Sequence, residues 1–369
     1  PFVDKQIGKF ESGRSRPCGQ NIIALTHRFC DRINYFLATM TNVVHNRSGC
    51  TVDNSLARRR NRGRPVNGIF LLNKPKGLTS NQALQRVKNL FDANKAGHTG
   101  SLDPLATGVL PICLGEATKF SQFLLDSDKH YCSTFTLGVT TDTGDCDGDV
   151  REEKDASTIT ERQVLSAIEA FKGEIQQVPS MYSALKHNGQ PLYKLARQGI
   201  VVEREARDIT VFKYDVLDFR PGLKAELDVE VHVSKGTYVR SLAEDLGAAL
   251  GCGAHVSALH RHVAGPFSDE ETVTLDSLQH QRETMEPEGL DSFLKPMDIA
   301  VADRMAVELS AVVAGYFQLG QPVMSNEAFR NGQEGDIVRV FREGGTFLGV
   351  AEVTADGQVA PKRLVVESS

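Results

Sequence analysis

Gly97-His98-Thr99-Gly100-Ser101-Leu102-Asp103-Pro104-Leu105-Ala106-Thr107-Gly108 runs directly into Val109-Leu110-Pro111-Ile112-Cys113-Leu114, and the rest of the chain is organised around this stretch. Its glycines let the backbone turn sharply and approach a ligand closely. Asp103 precedes a proline, which pushes its backbone out of the helical region. The carboxylate therefore sits on a stiff, extended loop and not on a helix face. The apolar run after it has strand length. A loop ending in a buried strand holds its side chains firmly, as a reacting carboxylate requires. Taken alone, the loop leaves two readings open: Asp103 hydrogen-bonds a turn, as most Asp-Pro pairs do, or it carries chemistry.

A chain of 369 residues is long enough for two domains and an appendage. With 40% apolar and 24% charged residues it has the composition of an ordinary globular protein. No apolar run approaches the length of a membrane span. The segment Asn21-Ile22-Ile23-Ala24-Leu25 is too short for a signal peptide. Seven scattered cysteines without a C-x-x-C pair point to free thiols in a reducing cytoplasm, not to a disulfide framework or a zinc site. A net charge of −5 gives no bulk argument for nucleic acid. Such a role has to rest on local basic clusters.

Working outward, residues 1–57 lack a clear period and read as an N-terminal extension, poorly ordered or docked on the surface. Arg58-Arg59-Arg60-Asn61-Arg62-Gly63-Arg64 is a basic arm, read equally as a solvated charge run or as a phosphate-binding arm. Together, 1–64 form an appendage to a larger domain over 65–294 and a small domain over 295–369. Gly68-Ile69-Phe70-Leu71-Leu72-Asn73-Lys74-Pro75 is a strand ending in a turn, and Thr79 or Ser80 caps the helix that follows. Residues 116–125 read as one helix with Phe120, Phe123 and Leu124 inward. Asp142, Asp145, Asp147 and Asp149 fail the EF-hand template, because Thr143 and Lys154 fall on ligand positions. They read as an acidic, solvated turn. Thr160-Glu161-Arg162-Gln163 is a capping box.

The clearest strand is 225–233, with strict apolar–polar alternation. It leads into Tyr238-Val239-Arg240 and a helix. Arg240 in a first helical turn opposes the helix dipole, which leaves two readings: a partner carboxylate nearby, or an exposed, solvated arginine. Residues 279–288 are polar and read as a linker. The last segment has short strands joined by glycine turns, the pattern of a small β-barrel.

From Val66 to Leu278 seven quoted blocks carry a resemblance. They are Gly68-Ile-Phe-Leu-Leu-Asn-Lys-Pro-Lys-Gly77, the 97–108 loop, Gly115-Glu-Ala-Thr-Lys-Phe-Ser-Gln122, Asp126-Ser-Asp-Lys-His-Tyr131, Pro179-Ser-Met-Tyr-Ser-Ala184, Lys235-Gly-Thr-Tyr-Val-Arg240 and Gly251-Cys-Gly-Ala-His-Val256. In this order they resemble the TruB family of tRNA pseudouridine synthases, and the C-terminal segment resembles the PUA-type barrel of bacterial members. The resemblance implies an α+β fold: a mixed, largely antiparallel sheet with helices, split by an RNA-binding cleft, plus the PUA-like barrel. It also implies isomerisation of uridine 55 in the T-loop of tRNA to pseudouridine, without metal, cofactor or energy source.

By position in the blocks, the resemblance makes Asp103 the nucleophile and Arg240 its ion-pair partner. Tyr131 stacks on the target base and takes part in proton transfer, and His98 supports flipped-out nucleotides. Lys119, Tyr182, Tyr238 and Leu259 fall in blocks that line the pocket, where core packing is the competing reading. Asn73, Ser101, His260 and His262 depart from the family pattern without touching these catalytic positions. The implied protein is a cytoplasmic monomer whose partner is the tRNA T-arm, with no membrane and no obligatory protein partner. The alternative is a tRNA-folding chaperone using the same cleft, and a third reading is a guide-RNA-dependent synthase with protein partners.

Overall fold

The structure, a computed structural model, describes residues 63–366. The expected extension and the basic arm as far as Arg62 lie outside the described residues. Arg64 is described, and it is neither a solvated charge nor a phosphate arm. Its guanidinium pairs with Asp291 and donates to the carbonyls of Phe91 and Pro287 at 2.8 Å each.

The chain enters through β1 (Gly68–Lys74), α1 (Ser80–Leu90), β2 (Ala96–His98) and β3 (Thr107–Leu114). Then come α2 (Ser121–Asp126), β4 (Lys129–Leu137), a hairpin of β5 (Val139–Thr141) and β6 (Val150–Glu153), α3 (Glu161–Ile168) and β7 (Gly173–Gln177). A short hairpin, β8 (Lys186–His187) and β9 (Gln190–Pro191), precedes α4 (Leu192–Ala196), β10 (Arg207–Arg220), β11 (Glu226–Val233) and α5 (Val239–Ala249). β12 (Ala254–Ala264), β13 (Phe267–Ser268), β14 (Val273–Thr274) and α6 (Leu275–Thr284) complete the larger part.

Its sheet runs β14-β1-β3-β12-β4-β11-β10-β7, with β2 beside β3 and β13 beside β12. The β1–β14 and β3–β12 pairs are parallel, the others antiparallel. The mixed, largely antiparallel α+β architecture is thus the one expected. Alternation explains the central strands: in β11 Leu227, Val229, Val231 and Val233 are buried, while the residues between them are less so. β1 and β3 have no such alternation because both their faces are covered. Phe70, Leu72, Leu110 and Ile112 pack into the main core. Ile69, Leu71, Val109 and Cys113 pack on the other side with Phe120, Ala300, Val301 and Val350. Thr79 and Thr160 form the capping boxes of α1 and α3.

Two elements differ from expectation. The 116–125 helix is broken into a 3-10 turn, Gly115–Lys119, and α2. Phe120 sits at the junction and packs its ring 5.2 Å from Phe347, while Ser121 Oγ takes the Thr118 carbonyl. The 279–288 linker is mostly helix: α6 buries Leu275 and Leu278, and the following 3-10 turn buries Leu290. With so few apolar residues on one face, the segment looks like a linker in sequence.

Beyond residues 295–301, which pack on β1 through an Ile69–Lys295 bridge, a second sheet begins. It contains β15 (Ala306–Leu309), β16 (Val323–Met324), β17 (Ile337–Arg342), β18 (Thr346–Val353) and β19 (Gln358–Leu364), accompanied by α7 (Ala311–Gln318) and α8 (Asn326–Asn331). Ordered β15-β17-β18-β19-β16, it curls into a half-barrel. The curl follows from bulges in β17–β18 and β18–β19 and from Gly349 at φ +135°, where a side chain would meet the Arg363 carbonyl. No helix among the described residues is long and apolar enough to cross a membrane.

Candidate active site

The 97–108 loop is fixed from several sides. Ser80 Oγ accepts from Leu102 N at 2.7 Å and donates to Leu102 O at 2.9 Å. Gly77 N donates to Pro104 O, Ala106 N to Asp103 O and Thr99 N to Pro111 O. Leu102, Leu105 and Ala106 are buried beneath. Arg261 on β12 is almost completely buried and threads under the loop, giving Nε to Val109 O at 2.8 Å and a terminal nitrogen to Gly100 O at 3.3 Å. Gly108, at φ +99°, lets β12 cross: a Cβ there would lie 2.3 Å from Arg261 O.

This scaffold presents Asp103 to α5. Arg240 Nε lies 2.9 Å from Asp103 Oδ2. The guanidinium, only 4% exposed, also donates to Thr143 O at 2.7 Å and Tyr182 O at 3.0 Å, and stands 3.7 Å from Asp145 Oδ2. A cation at a helix N-terminus is unfavourable; two carbonyls and two carboxylates offset it here. Asp145 itself is buried, not solvated as the acidic turn suggested. The β5–β6 hairpin folds the turn inward because Thr141 and Thr143 hydroxyls bind Asp145. Asp145 and Thr143 are thus parts of the site that the sequence did not reveal.

Withdrawal from water pushes the Asp103 carboxyl above its ordinary value; Arg240 pulls the other way and Asp145 adds to the rise. Two buried lysines stand close. Lys74 caps Pro75 O and Leu78 O, and Lys129 caps Leu125 O; burial brings each down to about 8. Lys129, four residues into the Asp126–Tyr131 block, also escaped the sequence reading.

A cleft of about 310 Å³ opens over the ion pair. Asp103, Tyr131, Tyr182, Tyr238, Arg240 and Leu259 all line it. The arrangement offers an ionisable carboxylate, a flat aromatic surface and fixed positive charge, features that suit an extruded base attached to a phosphate backbone.

Family models match the chain consecutively: the TruB family pseudouridylate synthase N-terminal domain over residues 88–239, the tRNA pseudouridylate synthase B C-terminal domain over 240–302, and the pseudouridine synthase II TruB C-terminal region over 306–365. The tRNA pseudouridine synthase B of Saccharophagus degradans is 59% identical over 313 residues, covering 85% of this chain and all of that one. That of Pseudomonas aeruginosa is 52% identical over 302 residues, covering 82% and 97%. The chain belongs to the TruB family of pseudouridylate synthases. Among solved structures, that of a Cbf5–Nop10–Gar1 complex superimposes with a TM-score of 0.60 at 27% identity, covering 82% of this chain and 84% of that one.

In this TruB-family chain the other expected site residues divide. Tyr182 turns its hydroxyl to Asp142 at 2.6 Å, which holds the phenol above its ordinary range. Tyr238 is locked by Gln177, which accepts from its N–H and donates to its carbonyl, and burial raises its phenol. His98 ends β2, half-buried; burial and then Arg261 lower its imidazole, and its Nδ1 finds no partner among the described residues. Lys119 does not line the cleft. Its Nζ is held by Glu116 and by Leu364 O at 2.8 Å, tying the 3-10 turn to β19 of the half-barrel.

Proposed function

We propose that this chain converts a tRNA uridine to pseudouridine, with uridine 55 of the T-loop as its target and Asp103 as its nucleophile. The observation that carries the reading is the Asp103–Arg240 pair, 2.9 Å apart, in the floor of the cleft beside Tyr131. Relatives named tRNA pseudouridine synthase B support tRNA as substrate.

The target base leaves its stack, at a cost of a few kcal/mol that is least in a loop, and Tyr131 stacks against it. Arg240 keeps the Asp103 carboxylate ionised and aimed. Two covalent routes begin from that carboxylate, at the sugar C1′ or on the uracil ring. On either, the N1–C1′ bond breaks, the base rotates, C5 bonds to C1′, the bond to Asp103 breaks and returns its carboxylate, and the proton lost from C5 is matched by one taken up at N1. Atoms and electrons balance without any added group. Lys129 and Arg261, in the cleft wall, supply positive charge to the RNA although the chain as a whole is acidic. On this reading the protein acts as a cytoplasmic monomer and needs no guide RNA.

The test is a map of modified uridines in an unmodified tRNA exposed to the pure chain. A single pseudouridine at position 55 is expected. Modification elsewhere only removes the positional assignment, and none at all removes the standalone-enzyme reading.

A further inference from the structure

Along β12, Leu259 and Arg261 reach the cleft, and strand alternation turns His260 and His262 to the opposite face. Asp269, in the 3-10 turn Asp269–Glu271, returns beneath them. Its Oδ2 lies 3.0 Å from His260 Nε2 and 2.6 Å from His262 Nδ1. The rings stand edge to face at 4.6 Å. All three side chains are half-buried, and one donor atom from each falls within 4.8 Å of the others. The reaction assigned to the cleft uses none of them.

We propose that His260, His262 and Asp269 bind a Zn²⁺ ion that ties β12 to the 269–271 turn. Two imidazole nitrogens and one carboxylate oxygen suit this borderline-soft ion, and water completes the tetrahedron. Ligands about 2.0–2.1 Å from zinc stand roughly 3.3 Å from one another. To reach that value the His260–Asp269 separation opens from 3.0 Å and the His262–Asp269 separation, the larger adjustment, from 2.6 Å, and the His262 side chain, 41% exposed, has room to turn.

Thr107 is the independent observation. His260 Nδ1 lies 2.7 Å from Thr107 Oγ1, whose hydroxyl donates to Leu259 O at 3.4 Å. The Thr107 oxygen is placed to accept from Nδ1–H, the tautomer in which Nε2 is free to bind a metal. A ligating imidazole needs such a partner on its other nitrogen.

The full chain, stripped with chelator, is titrated with Zn²⁺ by calorimetry, its thermal unfolding is followed with and without the ion, and Co²⁺ serves as spectroscopic probe. One ion per chain is expected, with a higher unfolding temperature in its presence and a cobalt spectrum lacking a thiolate charge-transfer band. His262→Gln and Asp269→Asn, their folding checked by metal-free thermal scans, bind at least about tenfold more weakly, and Thr107→Val weakens binding about tenfold. Absence of binding to the parent chain overturns the proposal. So do undiminished binding in both ligand variants and a thiolate band, which would move the ion to cysteines.

Discussion

Arg240 makes four interactions from one guanidinium, and each of its nitrogens is committed. Replacing it by glutamine leaves buried Asp145 and the partly exposed Asp103 without their common cation, a loss of about 1–3 kcal/mol, because solvent reaches Asp103 and screens it. The sign for catalysis follows from charge. On the proposed function Asp103 works ionised, and burial already holds its carboxyl above the ordinary range. The single-turnover rate of the parent chain therefore climbs with pH through that raised value and then levels. In Arg240→Gln the pull toward ionisation is gone, so the climb shifts to still higher pH and the plateau falls, with tRNA affinity changed less. An unshifted acid limb in that variant, measured across pH 4–9, contradicts the pairing. Asp103 and Arg240 each drew notice locally, a carboxylate fixed before proline and a cation where the helix dipole disfavours one, but their pairing was legible only through the family blocks. Asp145, Thr143 and the Tyr182 carbonyl were not, since only tertiary folding brings the 142–149 turn and the 178–184 segment to α5.

The elements show which patterns survive the step from sequence to structure. Alternation in β11 and the capping boxes of α1 and α3 are short-range properties, and they appear as read. The break at Phe120 answers to a partner far along the chain, Phe347, and no local pattern encodes it. The β3–β12 crossing depends on Gly108. Gly108→Ala places a methyl 2.3 Å from a backbone oxygen at a left-handed φ. Strain of about 1–3 kcal/mol is expected from the conformation alone, and displacement of Arg261 lowers activity as well. Urea denaturation together with single-turnover rates checks both; unchanged stability contradicts the close crossing.

At the scale of the whole molecule, the half-barrel is joined to the larger sheet through the cluster that includes Phe120, Ala300, Val301 and Val350 and through the Lys119–Leu364 hydrogen bond. Phe120→Ala is expected to cost about 3–5 kcal/mol, read as a lowered urea midpoint, while the cleft residues keep their places. A variant as stable as the parent contradicts the joint. Fold class and the outline of the cleft were legible through the family resemblance carried by the quoted blocks, among them the 97–108 loop and those ending in Tyr131 and Arg240. The attachment was hidden because its residues are scattered over some 280 positions of sequence.

The most direct measurement uses tRNA tritiated at uracil C5, with parent chain or Asp103→Asn in excess. The parent should release tritium from one uridine per tRNA. The variant should bind the same tRNA and release it at least about a thousandfold more slowly. Release by Asp103→Asn at the parent rate would show that this carboxylate is not the nucleophile.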